Sequence, residues 1–204
     1  MAKQKILLIL IILISVILRF YKIDNPIADW HSWRQADTSA VSRNFIQEGI
    51  DMLHPRFDDL SSIPSGKDNP EGWRMVEFPL FNLGQVSIYK LSQIITHNIS
   101  EDLNEPITIE IAGRITSIIA SVFTMIFLYG IVNRLSDFKT ALTSVLFYGL
   151  LPYSIYYSRV VLPDPLMVAL ALGSIYFYLS WIKIEDTNYS PDLYHINFWL
   201  SGIL

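Results

Sequence analysis

Three uninterrupted apolar stretches constrain this chain more than any other feature of its sequence. No charged residue occurs in Ile115–Val132, Thr140–Ser158 or Pro165–Ile182. A helix needs about 20 predominantly apolar residues to cross a bilayer, so each stretch has roughly the length for one crossing. The composition, 51% hydrophobic and only 17% charged residues, agrees with this interpretation. The sequence therefore indicates an integral membrane protein.

A fourth apolar stretch, Ile6–Leu18, is shorter and follows the basic residues Lys3 and Lys5. This arrangement is also typical of a cleaved signal peptide, but no small-residue cleavage site follows it. Instead the next residues, Arg19 to Lys22, have long amphipathic side chains that can reach the lipid headgroups. We interpret the segment as an uncleaved signal anchor.

The pattern predicts an all-α fold, a polytopic transmembrane helical bundle with amphipathic juxtamembrane helices in its first outer loop. We expect membrane helices over residues 6–21, 112–132, 140–160 and 165–183, and the start of another at 196. The outer loop covers residues 22–111, with interfacial helices at about 36–47 and 79–95. Because the sequence ends inside an apolar run, we expect residues 1–204 to be the amino-terminal part of a longer protein, with the carboxyl-terminal part absent.

The helix at Pro79–Ile95 decides the topology. At 100° per residue Leu80 and Leu91 fall on one face, whereas Asn82 and Gln85 fall on the other, so we expect the helix to lie flat in the interface. The short basic loops are then cytoplasmic, as the positive-inside rule requires, and the long loop faces outside. If the helix instead crossed the membrane, every later loop would lie on the opposite side of the bilayer.

Three acids, Asp37, Glu77 and Asp164, lie at expected helix starts on the outer side. A carboxylate beside apolar surroundings is costly unless it is solvated, paired or bound to a metal, so such residues are candidates for function. Acids are also favoured at helix N-termini for electrostatic reasons alone. For any single residue of the three, helix capping and catalysis are about equally good explanations.

Transfer of a group from a lipid phosphate requires a base and positive charges that stabilise the departing phosphate. Asp37 is the candidate base, and Glu77 and Asp164, with His31 as a nitrogen ligand, could hold a divalent metal ion. The candidate phosphate-binding residues are Arg159, Arg114 and Arg34. Trp33 and Tyr157 are the aromatic residues that could line the substrate, although aromatic belts at bilayer interfaces need no ligand.

Composition excludes several classes of function. The chain has no cysteine, so neither a disulfide framework nor a thiolate metal site is available. Its net charge of −4 gives no indication of a nucleic-acid partner. Apart from the metal ion, we expect no nucleotide or organic cofactor.

The ordered set of motifs resembles the GT-C family of membrane glycosyltransferases, which includes protein O-mannosyltransferases and the bacterial aminoarabinose transferase that modifies lipid A. The resemblance rests on an outer-loop acid and a series of later motifs along the whole chain: Asp37, Arg43-Asn44-Phe45, Glu77-Phe78-Pro79, Arg114 and Asp164-Pro165.

The resemblance implies inverting transfer of a sugar from a polyprenyl or dolichyl phosphate carrier to a lipid, glycan or protein acceptor. Asp37 resembles the catalytic aspartate, and Glu77 and Asp164 resemble acids that bind metal in some members. The implied location is a bacterial inner or plasma membrane, in multi-pass form with the site facing outside, and the implied role is cell-envelope glycosylation.

Two departures from the family pattern leave metal binding open. Thr38 stands where many relatives have a second acid, and Phe78 stands where many have a lysine. Two other classes also remain as alternatives. A transporter subunit would carry charges within its helices, whereas the apolar stretches here are free of charge. A polysaccharide polymerase or ligase would rely on an arginine or histidine base rather than on Asp37.

Overall fold

The computed structural model describes residues 2–27, 29–63, 65–99, 107–185 and 191–204. Its helices are α1 (Ala2–Arg19), α2 (Ser32–Gln47), α3 (Leu80–Ile99), α4 (Ile109–Leu135), α5 (Phe138–Leu150), α6 (Pro152–Tyr157), α7 (Asp164–Glu185) and α8 (Pro191–Ile203). In these ranges no strand forms, and one isolated bridge pairs Arg56 with Trp73. The fold is all-α, as the sequence predicts.

The chain divides into two compact units. The helical unit consists of Met1–Tyr21, Ile118–Ser158 and Asp164–Leu204. The loop unit consists of Lys22–Ser117 and Arg159–Pro163. The predicted outer loop, residues 22–111, therefore falls within the loop unit, and each unit can be described by itself.

The helical unit places polar side chains inside and apolar side chains outside. On α1, Ser15 and Arg19 are fully buried, whereas Ile6, Leu13 and Ile17 are exposed. The hydroxyls of α4 follow the same rule, since Ser121 and Thr124 are buried while Ile119, Phe123 and Ile126 are exposed. A helix interface with small polar residues and an apolar outer surface is typical of packing within a bilayer.

Arg19 does not reach outward to lipid headgroups, contrary to the expectation from sequence. Its guanidinium points into the helical unit, where Nε donates to Ser158 Oγ at 2.5 Å and Nη2 donates to Ser154 Oγ at 3.1 Å. Nη1 donates to the carbonyls of Ser15 at 3.0 Å and Gly149 at 3.1 Å. A buried charge is tolerated only when it is densely hydrogen-bonded, and these oxygens meet that requirement.

The helix predicted over residues 140–160 is interrupted. It forms α5 and α6 with Leu151 extended between them, at φ −61° and ψ 126°. The physical reason is Pro152, which has no N–H to continue the helical ladder and disfavours helical geometry at the residue before it. The carbonyl of Gly149 near this break accepts from Arg19 and from Ser15 Oγ. Arg19 therefore joins α1 to the end of α5.

The loop unit is built on the contact between α2 and α3. Val41 and Phe45 of α2 pack with Val86 of α3 in a buried apolar cluster. A polar contact joins the same two helices, since the Asn82 side chain of α3 donates to the Thr38 carbonyl of α2 at 2.7 Å. The polar face of α3 is thus buried against α2.

The apolar face of α3 remains exposed, including Leu80, Leu91, Ile94 and Ile95. This distribution is the reverse of that in a water-soluble helix pair. It supports the predicted position of α3 in a membrane interface.

Helix α2 begins at Ser32, four residues earlier than its predicted start at 36. Gln35 explains the extension, because its fully buried amide donates to Asp29 Oδ1 at 2.7 Å and accepts from the Val161 N–H at 3.1 Å. These tertiary contacts fix an additional turn that local capping signals do not indicate. Asp37 consequently lies inside the helix rather than at its N-cap.

Two of the described helices, Ile109–Leu135 and Asp164–Ile182, are long and apolar enough to cross a membrane by length and composition. The other predicted crossings, at 6–21 and 140–160, correspond to α1 and to the broken pair α5 and α6. The run predicted to begin at 196 lies in α8. Whether these shorter helices also cross the bilayer stays a prediction.

We predict that Arg19→Ala destabilises the protein by roughly 2–4 kcal/mol, because buried carbonyl and hydroxyl oxygens lose their charged donor. The measurement is thermal unfolding of the purified protein in detergent, followed by tryptophan fluorescence. Lys5→Ala on the exposed part of the same helix is the matched control and should leave the midpoint unchanged. Equal midpoints for both variants would contradict the anchoring role of Arg19.

Candidate active site

Asp37 projects from the second turn of α2 and forms an ion pair with Arg74. Arg74 Nη1 donates to Asp37 Oδ2 at 3.0 Å. The Arg74 side chain is only 8% exposed, whereas that of Asp37 is 29% exposed. Arg74 also lies over the Phe57 ring, 5.4 Å from its centroid. A buried cation therefore fixes one carboxylate oxygen of Asp37, while the side chain keeps access to solvent.

Glu77 extends this pair into a network of two acids and two arginines. Its Oε1 lies 3.9 Å from Arg74 Nη2, and its Oε2 lies 3.7 Å from Arg34 Nη2. Arg34 and Asp37 both belong to α2, whereas Arg74 and Glu77 precede α3. Arg74 thus joins Asp37 to Glu77, and Glu77 in turn contacts Arg34, which was predicted to bind phosphate.

The pKa of Asp37 is raised above the ordinary value for an aspartate. The main cause is desolvation of the carboxylate, and the nearby charges of Asp59 and Asp58 act in the same direction. Arg74 opposes the rise through its charge and its hydrogen bond. A carboxylate with a raised pKa is a stronger base than an exposed one, which suits a group that must accept a proton.

A cavity of about 740 Å³ lies beside Asp37 within the loop unit. Its charged lining is predominantly acidic and comprises Asp24, Asp37, Asp58, Asp59 and Glu110 together with Arg43 and Arg114. Smaller residues, including Ala36, Ser39 and Ala40, complete the wall on the α2 side. The cavity is large enough for a sugar ring with its substituents.

A second, much smaller cavity has a basic lining. Lys22, Arg114 and Arg159 surround a volume of about 20 Å³, with Asp29 on the same wall. Arg114 is buried, and its Nη1 donates to the backbone carbonyls of Ile23 and Asn25. The structure therefore unites Arg114 and Arg159, and Arg114 contributes to the walls of both cavities.

Asp164 and Tyr157 belong to the helical unit. They line a largely apolar cavity of about 490 Å³ together with Tyr153 and Leu151. The Tyr153 and Tyr157 rings contact each other with centroids 4.4 Å apart and planes tilted by 38°. Leu151, the extended residue between α5 and α6, lies in the wall of this cavity.

His31 and Trp33 lie at the amino end of α2. His31 adopts a left-handed conformation with φ 59° immediately before the helix, and its ring contacts Trp30 edge to face at 5.8 Å. Trp33 is 66% exposed. Both residues lie on the outer surface of the helix start.

No group of three or more His, Asp or Glu side chains is placed to hold a metal ion within the part of the chain that the structure describes. Glu77 contacts two arginines instead. Asp164 belongs to the helical unit, whereas Glu77 and His31 belong to the loop unit. A divalent ion at these residues stays a prediction.

Sequence analysis did not identify three residues of this site. Arg74 lies three residues before Glu77 and outside any helix, a spacing that does not by itself indicate an ion pair. Gln35 gave no signal beyond its polarity, although it is fully buried. Ser39 is equally inconspicuous, since a serine two residues after an acid is compatible with any exposed helix.

We predict that Arg74→Gln raises the pKa of Asp37 further, because the carboxylate loses its only close counter-charge among the contacts described. The measurement is a carbon-13 NMR titration of aspartate-labelled protein, with Asp37→Asn assigning the signal. Arg56→Gln is the control, since Arg56 pairs with Glu48 and Glu71. A pKa that falls or stays constant in Arg74→Gln would refute this electrostatic role.

Comparison with known proteins gives one match. Residues 108–200 match the family model described as dolichyl-phosphate-mannose-protein mannosyltransferase. No curated protein and no solved structure matches the chain. The matched segment includes Arg114, Tyr157, Arg159 and Asp164, and it begins after Asp37 and Glu77. Together with the all-helical fold and its apolar helices, this match supports the resemblance seen in the sequence, and residues 108–200 are similar to a family of GT-C-type membrane glycosyltransferases.

Proposed function

We propose that this protein transfers a sugar from a polyprenyl or dolichyl phosphate carrier to an acceptor hydroxyl, with inversion at the anomeric carbon and with Asp37 as the general base. The observation that carries the proposal is the position of Asp37. Its carboxylate is held by buried Arg74, its pKa is raised, and it opens onto the large cavity. The family match at residues 108–200 supports the choice of donor.

The proposed reaction is a single displacement. The acceptor oxygen forms a bond to the anomeric carbon as its proton passes to Asp37. The bond between that carbon and the phosphate oxygen breaks on the opposite face, and its electron pair leaves with the lipid phosphate. Arg74 keeps Asp37 in one orientation through the hydrogen bond to Oδ2, which leaves Oδ1 available for the proton.

Charge accumulates on the phosphate as the bond breaks, so cations placed there stabilise the transition state. We assign this role to Arg114 and Arg159, with Lys22 beside them. The basic cavity has room for about one water molecule, so the proposed phosphate binds at its mouth. Because Arg114 also lines the large cavity, the proposed phosphate and sugar positions are neighbours.

The proposal places the site on the outer or lumenal side of the membrane. The exposed apolar face of α3 supports a flat position in the interface, and the positive-inside rule assigns the basic residues Arg134 and Lys139 to the cytoplasmic side. The acceptor, whether lipid, glycan or protein, is reached from the outer or lumenal side. A bacterial inner or plasma membrane is the proposed location.

We predict that Asp37→Asn lowers transfer from a lipid-linked sugar donor by at least about 100-fold, because positioned general bases contribute about 10²–10⁴ in rate. The rate of the unmodified protein should fall as pH decreases through the raised pKa of Asp37, since only the carboxylate can accept the proton. Radiolabelled sugar transfer in membranes that contain the full-length protein measures both effects.

Asp51→Asn is the matched control for this experiment. Asp51 is an exposed acid of the same loop unit, it lies outside the lining of the large cavity, and its replacement should leave transfer intact. Full activity of Asp37→Asn would disprove the base assignment and would favour a ligase-type enzyme with another base.

We predict that Arg159→Gln raises the KM for the donor about 10-fold or more, because it removes one charged contact to the phosphate. The KM for the acceptor should change little. Arg56→Gln, a surface arginine of the same unit, is the control. An unchanged donor KM in Arg159→Gln would remove that residue from the phosphate site.

A further inference from the structure

Gln35 is a fully buried amide in the first turn of α2. Its Nε2 donates to Asp29 Oδ1 at 2.7 Å and to the Trp30 carbonyl at 3.1 Å. Its Oε1 accepts from the Val161 N–H at 3.1 Å. A buried amide is costly unless it is hydrogen-bonded, and a methionine would fill a similar volume with about the same helix propensity. The amide is therefore explained by the groups that it joins.

Gln35 joins two segments that both line the small basic cavity. Asp29 lies in the wall of this cavity, and so do Arg159 and Val160. Val161 follows directly after them, so its bond to Gln35 holds the backbone two residues beyond Arg159. These residues all belong to the loop unit. The side chain of Gln35 thus connects two parts of the cavity wall.

The same wall is attached to α4 by separate contacts. Arg114 donates to two backbone carbonyls of the segment that precedes Asp29. Ser117 Oγ donates to the Val160 carbonyl at 2.6 Å. Both donors belong to α4, whereas Gln35 attaches the wall to α2. The basic cavity is therefore held in place by two helices.

Helix α2 also carries the proposed base. Asp37 lies two residues after Gln35, and the helical backbone fixes the spacing of residues so close in sequence. A continuous series of contacts thus connects Asp37, through Gln35, to the backbone beside Arg159. In the proposed displacement the base and the phosphate contact act on opposite faces of one carbon, so their separation must be held closely.

We propose that Gln35 is a positioning residue that fixes Arg159, the proposed phosphate contact, relative to Asp37, the proposed base. This inference rests on the proposed function, since both assignments belong to it. Gln35 does not touch the substrate in this arrangement, and its amide sets the distance between two groups that do. Its replacement should affect phosphate binding and turnover together.

The first test measures phosphate binding without transfer. The probe is a short-chain polyprenyl phosphate, titrated calorimetrically into the purified full-length protein in detergent. Gln35→Met should weaken binding about 5-fold or more, because the guanidinium of Arg159 is no longer held at the phosphate. Gln47→Met changes an exposed glutamine of the same helix, and this matched control should bind the probe as the unmodified protein does.

Arg159→Gln in the same titration separates this inference from the proposed function. Weaker binding in Arg159→Gln and in Gln35→Met, with Gln47→Met unaltered, supports the positioning role. Weaker binding in Arg159→Gln alone would overturn the positioning role and would leave the proposed phosphate site intact. Unchanged binding in Arg159→Gln would overturn both.

The second test exchanges the two hydrogen-bond partners. Gln35→Glu keeps an acceptor for the Val161 N–H, but it places a second carboxylate against Asp29, so probe binding should weaken. Asp29→Asn supplies a donor amide opposite that new carboxylate. The loss caused by Gln35→Glu should therefore be several-fold smaller when Asp29→Asn is also present, as a double-mutant cycle measures. An equal loss in both backgrounds would overturn the proposal.

Turnover gives a readout that a purely structural role would not change. In the radiolabelled transfer measurement Gln35→Met should lower kcat at least about 10-fold and raise the donor KM, because the reacting groups are misplaced. The acceptor KM should change little. Thermal midpoints are recorded for the same variants. A lowered midpoint with unchanged kcat and donor KM in the folded protein would show a structural role only and would overturn the proposal.

Discussion

The buried guanidinium of Arg74 is the interaction on which the arrangement of the loop unit depends. It pairs with Asp37 on α2 and with Glu77 before α3, and it packs over the Phe57 ring. A cation removed from water needs partners on several sides, so the segments that carry these residues must converge. The same requirement explains why Asp37 is held at the edge of a cavity rather than moving freely in solvent.

A comparable constraint organises the helical unit. Pro152 interrupts a helix of predominantly apolar sequence, and a carbonyl that loses its helical partner at such a break needs another donor. Arg19 and Ser15 supply donors to the carbonyl of Gly149. Polar side chains of α1 therefore stabilise the break, and Leu151 at the break lines the apolar cavity together with Tyr157 and Asp164. The interrupted helix and the buried Arg19 are thus directly connected, because Arg19 donates to the Gly149 carbonyl near the break.

Sequence alone predicts the elements whose signal is local. The amphipathic period of α3 identifies its two faces, and the charge-free stretches predict α4 and α7. The early start of α2 and the inward position of Arg19 depend on partners distant in sequence, Val161 and Ser158. Of the site, Asp37 could be chosen by its motif, but Arg74 could not, because its burial between Asp37 and the Phe57 ring is a property of packing.

Under the proposed function, the two cavities of the loop unit orient an asymmetric donor. A lipid-phosphate sugar has a negative end and an uncharged, hydroxyl-rich end, and the cavities are basic and acidic respectively. The acidic cavity repels the phosphate and the basic cavity attracts it, so the phosphate end sets the direction of binding in the proposed reaction. Arg114 lines both cavities and is held by two backbone carbonyls. In the proposed reaction the bond to phosphate therefore breaks beside Arg114, between the two cavities, and Asp37 lies in the acidic one.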